Sequence, residues 1–193
     1  MTQPDLTIAT EAMTDLLATV TDADLERTTP CPGLPVGVVV SHVHGLSQAF
    51  AAAARKDLGP LTSTPPTDGI APLPADWRST APVHLSRLAA AWQDPAAWTG
   101  MTAAGGVELP GEVAGLVAAD EIVVHGWDIA RATGRTFDPG EEALAAAHAF
   151  LVESRKGPVS PELFGPEVPV PDDAPLLDRV VGLAGRDPGW APR

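Results

Sequence analysis

The sequence predicts an all-α protein, a four-helix bundle with long connections and a Pro-rich C-terminal tail. Its strongly periodic segments place apolar residues three and four positions apart, which indicates helices that bury one face. The 21 Pro and 18 Gly of the 193 residues fall mainly between these segments, and strand patterns are nearly absent. Because no Gly/Ser linker divides the chain, we expect residues 1–193 to form a single domain.

The first two helices are predicted on either side of a rigid connection. The first covers residues 6–20, and its apolar positions are Leu6, Ala9, Met13, Leu16, Leu17 and Val20. Residues 29–33, Thr-Pro-Cys-Pro-Gly, hold too much Pro and Gly for a helix interior or a central strand. The second helix should run from about Pro35 to Lys56, since Pro is tolerated in the first turn of a helix. Its core stripe is Val36, Val39, Val43, Leu46 and Phe50.

A long surface loop separates the second predicted helix from the next one. Residues 57–76 carry five Pro and few apolar side chains, whereas helical spacing returns over residues 80–92. Gly105 and Gly106 are interpreted as a Gly-rich connection. The most regular helix of the chain follows over residues 110–134 and stops at its last residue, a Gly.

Two further helices complete the prediction. Residues 138–141, Asp-Pro-Gly-Glu, have the capping-box arrangement, which predicts a helix from there to about Lys156. Residues 158–175 alternate Pro with apolar residues and form most of the tail. A short helix is predicted over residues 176–183, followed by an exposed end.

Composition and charge exclude several classes of protein. The chain has 12 Lys and Arg against 25 Asp and Glu, a net charge of −13, which opposes binding to a nucleic-acid backbone. The single Cys31 excludes an intramolecular disulfide framework and a zinc ribbon. No run of about 18 apolar residues predicts a membrane span, and no signal peptide is recognisable. We therefore expect a cytoplasmic monomer or homodimer that contacts neither membrane nor nucleic acid.

Five histidines are candidates for chemistry: His42, His44, His84, His125 and His148. His42 lies beside the apolar stripe of the second predicted helix and should face the core or its edge. His44 lies about 200° around that helix from His42, which predicts a peripheral position. His148 shares a face with apolar residues and is interpreted as a core histidine, with a fourth metal ligand or a proton shuttle as alternatives.

Glu121 and His125 are four residues apart on the most regular helix, so both project from one face, with Cβ atoms about 6 Å apart. A carboxylate between apolar turns needs a partner or a cation to offset its desolvation. The spacing alone also fits a helical ion pair or a hydrogen-bonded core histidine. Adding an inward His42 from another helix forms a His/Glu/His set, and helical bundles build metal sites in this way.

Two longer motifs carry a family resemblance. They are residues 29–33, followed by the helix with His42, and residues 120–134, Asp-Glu-Ile-Val-Val-His-Gly-Trp-Asp-Ile-Ala-Arg-Ala-Thr-Gly. With the Pro-rich residues 164–175 and residues 185–190, they resemble the actinobacterial single-domain, metal-binding branch of the DinB-like superfamily. The N-terminal domain of mycothiol-dependent maleylpyruvate isomerase belongs to the same group. The resemblance spans nearly the whole chain.

The resemblance implies a four-helix bundle that holds one divalent metal through His42, Glu121 and His125. Three ligands of N, N and O type leave positions open for water or substrate, the pattern of catalytic zinc, so Zn²⁺ is the expected ion. The implied function is S-transfer to, or isomerisation of, a small-molecule substrate, with a small thiol such as mycothiol as co-substrate. A non-catalytic metal-binding or ligand-sensing module and a hydrolase that uses metal-bound hydroxide remain alternatives.

Several residues limit or extend this interpretation. The family usually has Trp where this chain has Leu34, and charged residues where Gly37 and Val38 stand. The chain ends without the additional C-terminal domain of the isomerase, so that particular reaction is not expected to carry over. Cys31 is predicted too far from His42 to share its metal and is interpreted as a structural or semi-buried thiol, with a reactive role as the alternative. Asp128 is predicted either to accept a hydrogen bond from His125 or to be a carboxylate that is solvated or paired with Arg131.

Overall fold

The periodic segments fold into helices that surround one apolar core. The structure, a computed structural model, describes residues 3–65, 69–157 and 165–192. Its helices are α1 (Thr7–Thr19), α2 (Val36–Ala54), α3 (Pro60–Ser63), α4 (Trp77–Trp92), α5 (Gly111–Thr133), α6 (Glu141–Ser154) and α7 (Leu176–Leu183). Strands β1 (Met101–Ala104) and β2 (Val107–Pro110) form a hairpin, and short 3₁₀ turns cover Asp22–Asp24 and Pro95–Trp98.

Four of these helices enclose the core. Helix α4 packs against α1 and α2, and α5 packs against the same two helices from another side. The side chains that meet between them are fully buried and aliphatic, as expected for the apolar stripes of amphipathic helices. They include Met13, Val39, Val43, Leu85, Leu88, Ile122 and Val123. Helix α6 covers an outer side of α5, and α7 packs on α6.

The all-α prediction is wrong in one place, because the Gly105–Gly106 connection is the turn of an antiparallel hairpin. Thr102 pairs with Leu109 across the two strands. Gly105 and Gly106 have φ of 58° and 78°, the positive values that a two-residue turn of type I′ requires at both positions. Each strand has four residues, so the alternating pattern is too short to stand out in the sequence. The described structure is mostly helical with this small sheet.

The predicted helix ends need three corrections. Helix α4 begins at Trp77 rather than at residue 80, and the predicted loop contains the single turn α3. The predicted capping box before α6 is also wrong. Gly140 has a φ of 76°, which no helical residue adopts, so Asp138 cannot be the N-cap and its carboxylate instead accepts from the Gly140 N–H. The other helices lie where the spacing predicts them, including α7; residues 158–164 of the tail lie outside the described residues.

Helix α2 is the most apolar of the described helices. It is long and apolar enough, by length and composition alone, to cross a membrane, with a mean hydropathy of 1.2 over 18 residues. However, 67% of that window is buried inside the fold. This burial accounts for the composition, because α2 contacts both α4 and α5 and has apolar neighbours on most sides.

Candidate metal centre

Three side chains with metal-binding atoms meet between α2 and α5. His42 comes from α2, and Glu121 and His125 come from successive turns of α5. The Glu121 Oε2 atom lies 3.2 Å from His42 Nε2 and 3.1 Å from His125 Nε2. The two imidazole rings are 4.9 Å apart and nearly perpendicular, and the donor atoms of all three residues lie within 4.8 Å of one another. The fold therefore brings together the three residues of the predicted set.

The position of this cluster follows from the helix faces that carry it. Val39 and Val43 are fully buried on either side of His42, and Ile122 and Ile129 anchor α5 in the core. The cluster lies at the edge of that core, where the side chains of His42 and Glu121 are 29% and 27% exposed. Parts of these two side chains therefore contact solvent, whereas the side chain of His125 is only 10% exposed.

The charges of the cluster are mutually dependent. Burial raises the pKa of Glu121, but hydrogen bonds and positive charge from His125 and His42 outweigh it and hold that pKa well below its usual range. Burial lowers the pKa of His125, but the hydrogen bonds and charges of Asp128 and Glu121 raise it to about 9. Without a cation, His125 is therefore itself a cation between two carboxylates at neutral pH.

Asp128 holds His125 from behind. The His125 Nδ1–H donates to Asp128 Oδ2 at 3.1 Å, as one of the two predictions for Asp128 has it. This bond leaves Nε2 as the ring nitrogen that faces Glu121, which is the arrangement a metal-binding histidine needs. The other prediction, a carboxylate that is solvated or paired with Arg131, is wrong. Asp128 is completely buried, and Arg131 donates to the carbonyl oxygens of Pro188 and Trp190 instead.

Arg186 is the residue of the site that sequence reasoning missed. It follows α7 and is only 8% exposed, and its Nη2 lies 3.1 Å from Asp128 Oδ2 while its Nε lies 3.4 Å from Asp128 Oδ1. Asp128 is completely buried, so the guanidinium compensates a charge that water cannot reach. Residues 185–190 carry part of the family resemblance, but nothing in that motif assigns Arg186 a role at the site, and 58 residues separate it from Asp128.

Cys31 contacts the same guanidinium nitrogen of Arg186 that contacts Asp128. Its Sγ accepts a hydrogen bond of 3.4 Å from Arg186 Nη2, and it does not belong to the cluster of donor atoms. Burial raises the pKa of the thiol to about 11, although the charge of Arg186 opposes this. Cys31 is therefore a half-buried, protonated thiol at neutral pH, in agreement with the prediction.

The remaining histidines lie elsewhere. The prediction that His44 is peripheral is wrong: it is 9% exposed, because α4 covers this face of α2, and its Nε2 lies 2.9 Å from Thr80 Oγ1. The prediction that His148 is a core histidine is wrong: it is partly exposed, and its Nε2 lies 3.2 Å from Arg179 Nη2, between α6 and α7. His148 is not one of the clustered donors, which argues against its alternative as a fourth ligand.

Comparison with known proteins identifies the family. Residues 6–130 match the family model described as the mycothiol maleylpyruvate isomerase N-terminal domain, well over half of the chain. The chain belongs to this family. The matched region contains His42, Glu121 and His125, whereas Arg186 lies beyond it.

Relatives and solved structures agree with this membership. Two proteins of Mycobacterium tuberculosis, from two strains and both named as uncharacterized, are 30% identical over 185 residues, which is 92% of this chain and 93% of theirs. The crystal structure of the mycothiol-dependent maleylpyruvate isomerase superposes with a TM-score of 0.54 at 20% identity, covering 76% of this chain and 68% of that one. A mutant of that enzyme with a histidine replaced by alanine gives a TM-score of 0.52. At this identity the likeness shows a shared fold.

Proposed function

We propose that the protein is a cytoplasmic, metal-dependent enzyme that uses a small thiol, mycothiol being the expected one, for S-transfer to or isomerisation of a small-molecule substrate. The proposal includes a single domain whose helices α1, α2, α4 and α5 form the DinB-like four-helix bundle. One observation carries it: an open His/Glu/His cluster lies within a chain of the mycothiol maleylpyruvate isomerase N-terminal domain family.

The residues present fit a divalent cation. Two imidazole nitrogens and one carboxylate oxygen are the ligand types of catalytic zinc sites, and His42, Glu121 and His125 already hold them within 4.8 Å of one another. The exposed part of the cluster leaves room for a further ligand. When bound, Zn²⁺ would supply Lewis acidity that lowers the pKa of a thiol and so provides thiolate at neutral pH.

The other residues of the site orient and balance this donor set. Asp128 accepts the Nδ1–H of His125 and thereby turns its Nε2 toward Glu121. Arg186 neutralises the buried charge of Asp128. Cys31, the one cysteine of the chain, has a pKa of about 11, so the protein itself offers no thiolate at neutral pH. The nucleophilic sulfur is therefore assigned to a small-molecule thiol.

The decisive experiment measures thiol chemistry and metal dependence together. Zinc-loaded protein, metal-free protein and the Glu121→Ala variant are incubated with mycothiol and a panel of electrophiles; the loss of thiol reports S-transfer, and isomerisation of the electrophile, which regenerates the thiol, is followed separately. Glu112→Ala is the matched control, because it removes an exposed carboxylate from the first turn of the same helix. We expect the zinc-loaded wild type and Glu112→Ala to accelerate at least one thiol reaction, and the other two samples to be inactive.

The opposite result would assign the metal a structural role. If zinc raises the melting temperature substantially, but the zinc-loaded protein neither binds mycothiol nor accelerates any of these reactions, the enzyme proposal fails. The alternatives would then be a non-catalytic metal-binding module and a hydrolase that uses metal-bound hydroxide, and a hydrolysis assay of the zinc-loaded protein would distinguish them.

Zinc binding is expected to strengthen steadily as pH rises from 6.5 to 8.5. In the metal-free site the pKa of His125 is about 9, so its proton must leave before Nε2 can coordinate a metal. Displacing one proton changes the apparent affinity by about tenfold per pH unit below that pKa. Competition with a chromophoric chelator at several pH values measures this slope. An affinity that levels off above about pH 7, near the ordinary histidine pKa, would contradict it.

The Asp128→Asn variant is the control for this pH dependence. Asp128 raises the pKa of His125 through a hydrogen bond and its charge, so the Asn side chain should lower that pKa. The affinity for zinc should then stop rising at a lower pH than in the wild type.

A further inference from the structure

A polar cavity, separate from the metal centre, lies on the side of α2 that faces away from His42. It has a volume of about 110 Å³ and is formed where α2, α3 and α4 approach one another. Its charged and polar lining includes Gln48 from α2, Arg55 directly after α2, and His84 and Arg87 from α4. Ala51 and Leu61 form its apolar wall, and among the residues that the structure describes no Asp or Glu lines it.

The two arginines of this cavity are unusual in the chain. The net charge of −13 means that acidic partners are abundant, and Arg78 and Arg135 both pair with aspartates. Within residues 3–65, 69–157 and 165–192, in contrast, no side chain forms an ion pair or hydrogen bond with the guanidinium of Arg55 or Arg87. Arg55 and Arg87, both exposed, thus line one cavity whose described lining holds no carboxylate.

The third polar group of the cavity, His84, packs against His44. Gln48 Nε2, which can only donate, lies 3.4 Å from His44 Nδ1, so His44 accepts there and its Nε2–H donates to Thr80 Oγ1. The Thr80 hydroxyl in turn donates to the Asp76 carbonyl oxygen. His44 is therefore fully occupied. The ring of His84 packs edge-on against it at 4.8 Å, and no other residue in the described part of the chain hydrogen-bonds the His84 nitrogens.

We propose that this cavity binds a small organic anion, with Arg55, Arg87 and His84 donating to its carboxylate or phosphate oxygens. A guanidinium offers two parallel N–H donors that match the spacing of such oxygens, and charge-assisted bonds of this kind are stronger than neutral ones. The apolar part of the ligand packs against Ala51 and Leu61. Leu61 is 50% exposed at present, so a ligand that covers it also buries apolar surface.

The anion site is separate from the proposed metal centre. His42 and His44 project about 200° apart around α2, so the helix itself lies between the two sites. Loss of zinc binding therefore leaves anion binding intact, and the two proposals can fail independently.

Titration of the full-length protein with inorganic phosphate or butyrate, at constant ionic strength, tests the site. NMR signals of the His84 ring and of the Arg55 and Arg87 side-chain nitrogens are expected to shift in a saturable manner with at least one of the two probes. The double variant Arg55→Gln/Arg87→Gln should weaken that binding by at least about tenfold, because it removes both charged donors. Arg27→Gln makes the same charge change at an exposed position outside the cavity and should bind as the wild type does.

Three further comparisons decide the outcome. Arg87→Lys keeps the charge but loses the paired donors, and weaker binding by this variant supports the geometry proposed for Arg87. Glu121→Ala should retain the wild-type affinity for the probe. Tighter binding of butyrate than phosphate assigns a carboxylate ligand, and the reverse assigns a phosphate. Any of three results would overturn the proposal: shifts that never saturate, shifts that sodium chloride reproduces, or shifts that persist unchanged in the double variant.

Discussion

Replacing Glu121 by Ala is expected to abolish stoichiometric zinc binding. Glu121 is the residue that both histidines contact, at 3.2 Å from His42 and 3.1 Å from His125, and its carboxylate supplies the negative charge of the donor set. Changes to residues that merely orient a metal ligand lower affinity by roughly 10–100-fold, so removal of a ligand should exceed that range. His42→Ala and His125→Ala should have the same effect, since each leaves two donors.

Metal content after dialysis against a weak chelator measures this loss. His148→Ala and Cys31→Ser are the matched controls, because they remove an imidazole and a thiol that lie outside the donor cluster. Both should retain the wild-type zinc content. If His125→Ala also retained it after the same dialysis, His125 would not be a ligand and the proposed site would be wrong.

The donor set could be predicted because its geometry is mostly local. Glu121 and His125 lie four residues apart on one helix, and this spacing fixes their relative position before any tertiary structure exists. The helical position of His42 shows only that it points inward. The family resemblance, and not periodicity, implies that α2 packs against α5 and so brings His42 to Glu121.

His44 shows the limit of the same reasoning. Its angle around α2 relative to His42 is correct, but an angle does not reveal whether another helix covers that face. Helix α4 does so, and Thr80 on α4 supplies the hydrogen-bond partner. Burial is a tertiary property, and a helical projection of one segment cannot predict it.

The errors in the fold have a similar origin. Long amphipathic helices repeat their pattern over several turns, whereas β1 and β2 have four residues each and provide too few positions for a pattern. The Gly105–Gly106 pair was the available hairpin signal, since two glycines are favoured where both turn residues need positive φ. The start of α6 was misplaced because the residue types of a capping box can also form another turn, and here Gly140 takes a left-handed φ.

Arg186→Met is expected to lower the free energy of unfolding of the metal-free protein by about 3 kcal/mol, the lower end of the range for breaking a buried ion pair from one side, because the His125 cation still contacts Asp128. Asp128 is completely buried and Arg186 is 8% exposed, so water cannot replace the lost guanidinium. Urea denaturation without zinc measures the change, because bound metal would stabilise the folded state by itself. The surface pair formed by Arg78 and Asp22 is the matched comparison, and Arg78→Met should cost about 0–1 kcal/mol.

A double variant separates the cost of an unpaired charge from the loss of packing. Asp128→Leu combined with Arg186→Met removes both charges, so it should recover much of the stability that Arg186→Met loses, although His125 then lacks its acceptor. The double variant should also bind zinc more weakly, because Asp128 no longer orients the His125 ring. If Arg186→Met were no less stable than Arg78→Met, the Asp128 charge would be relieved in another way. The segment after α7 would then contribute nothing to the site through Arg186.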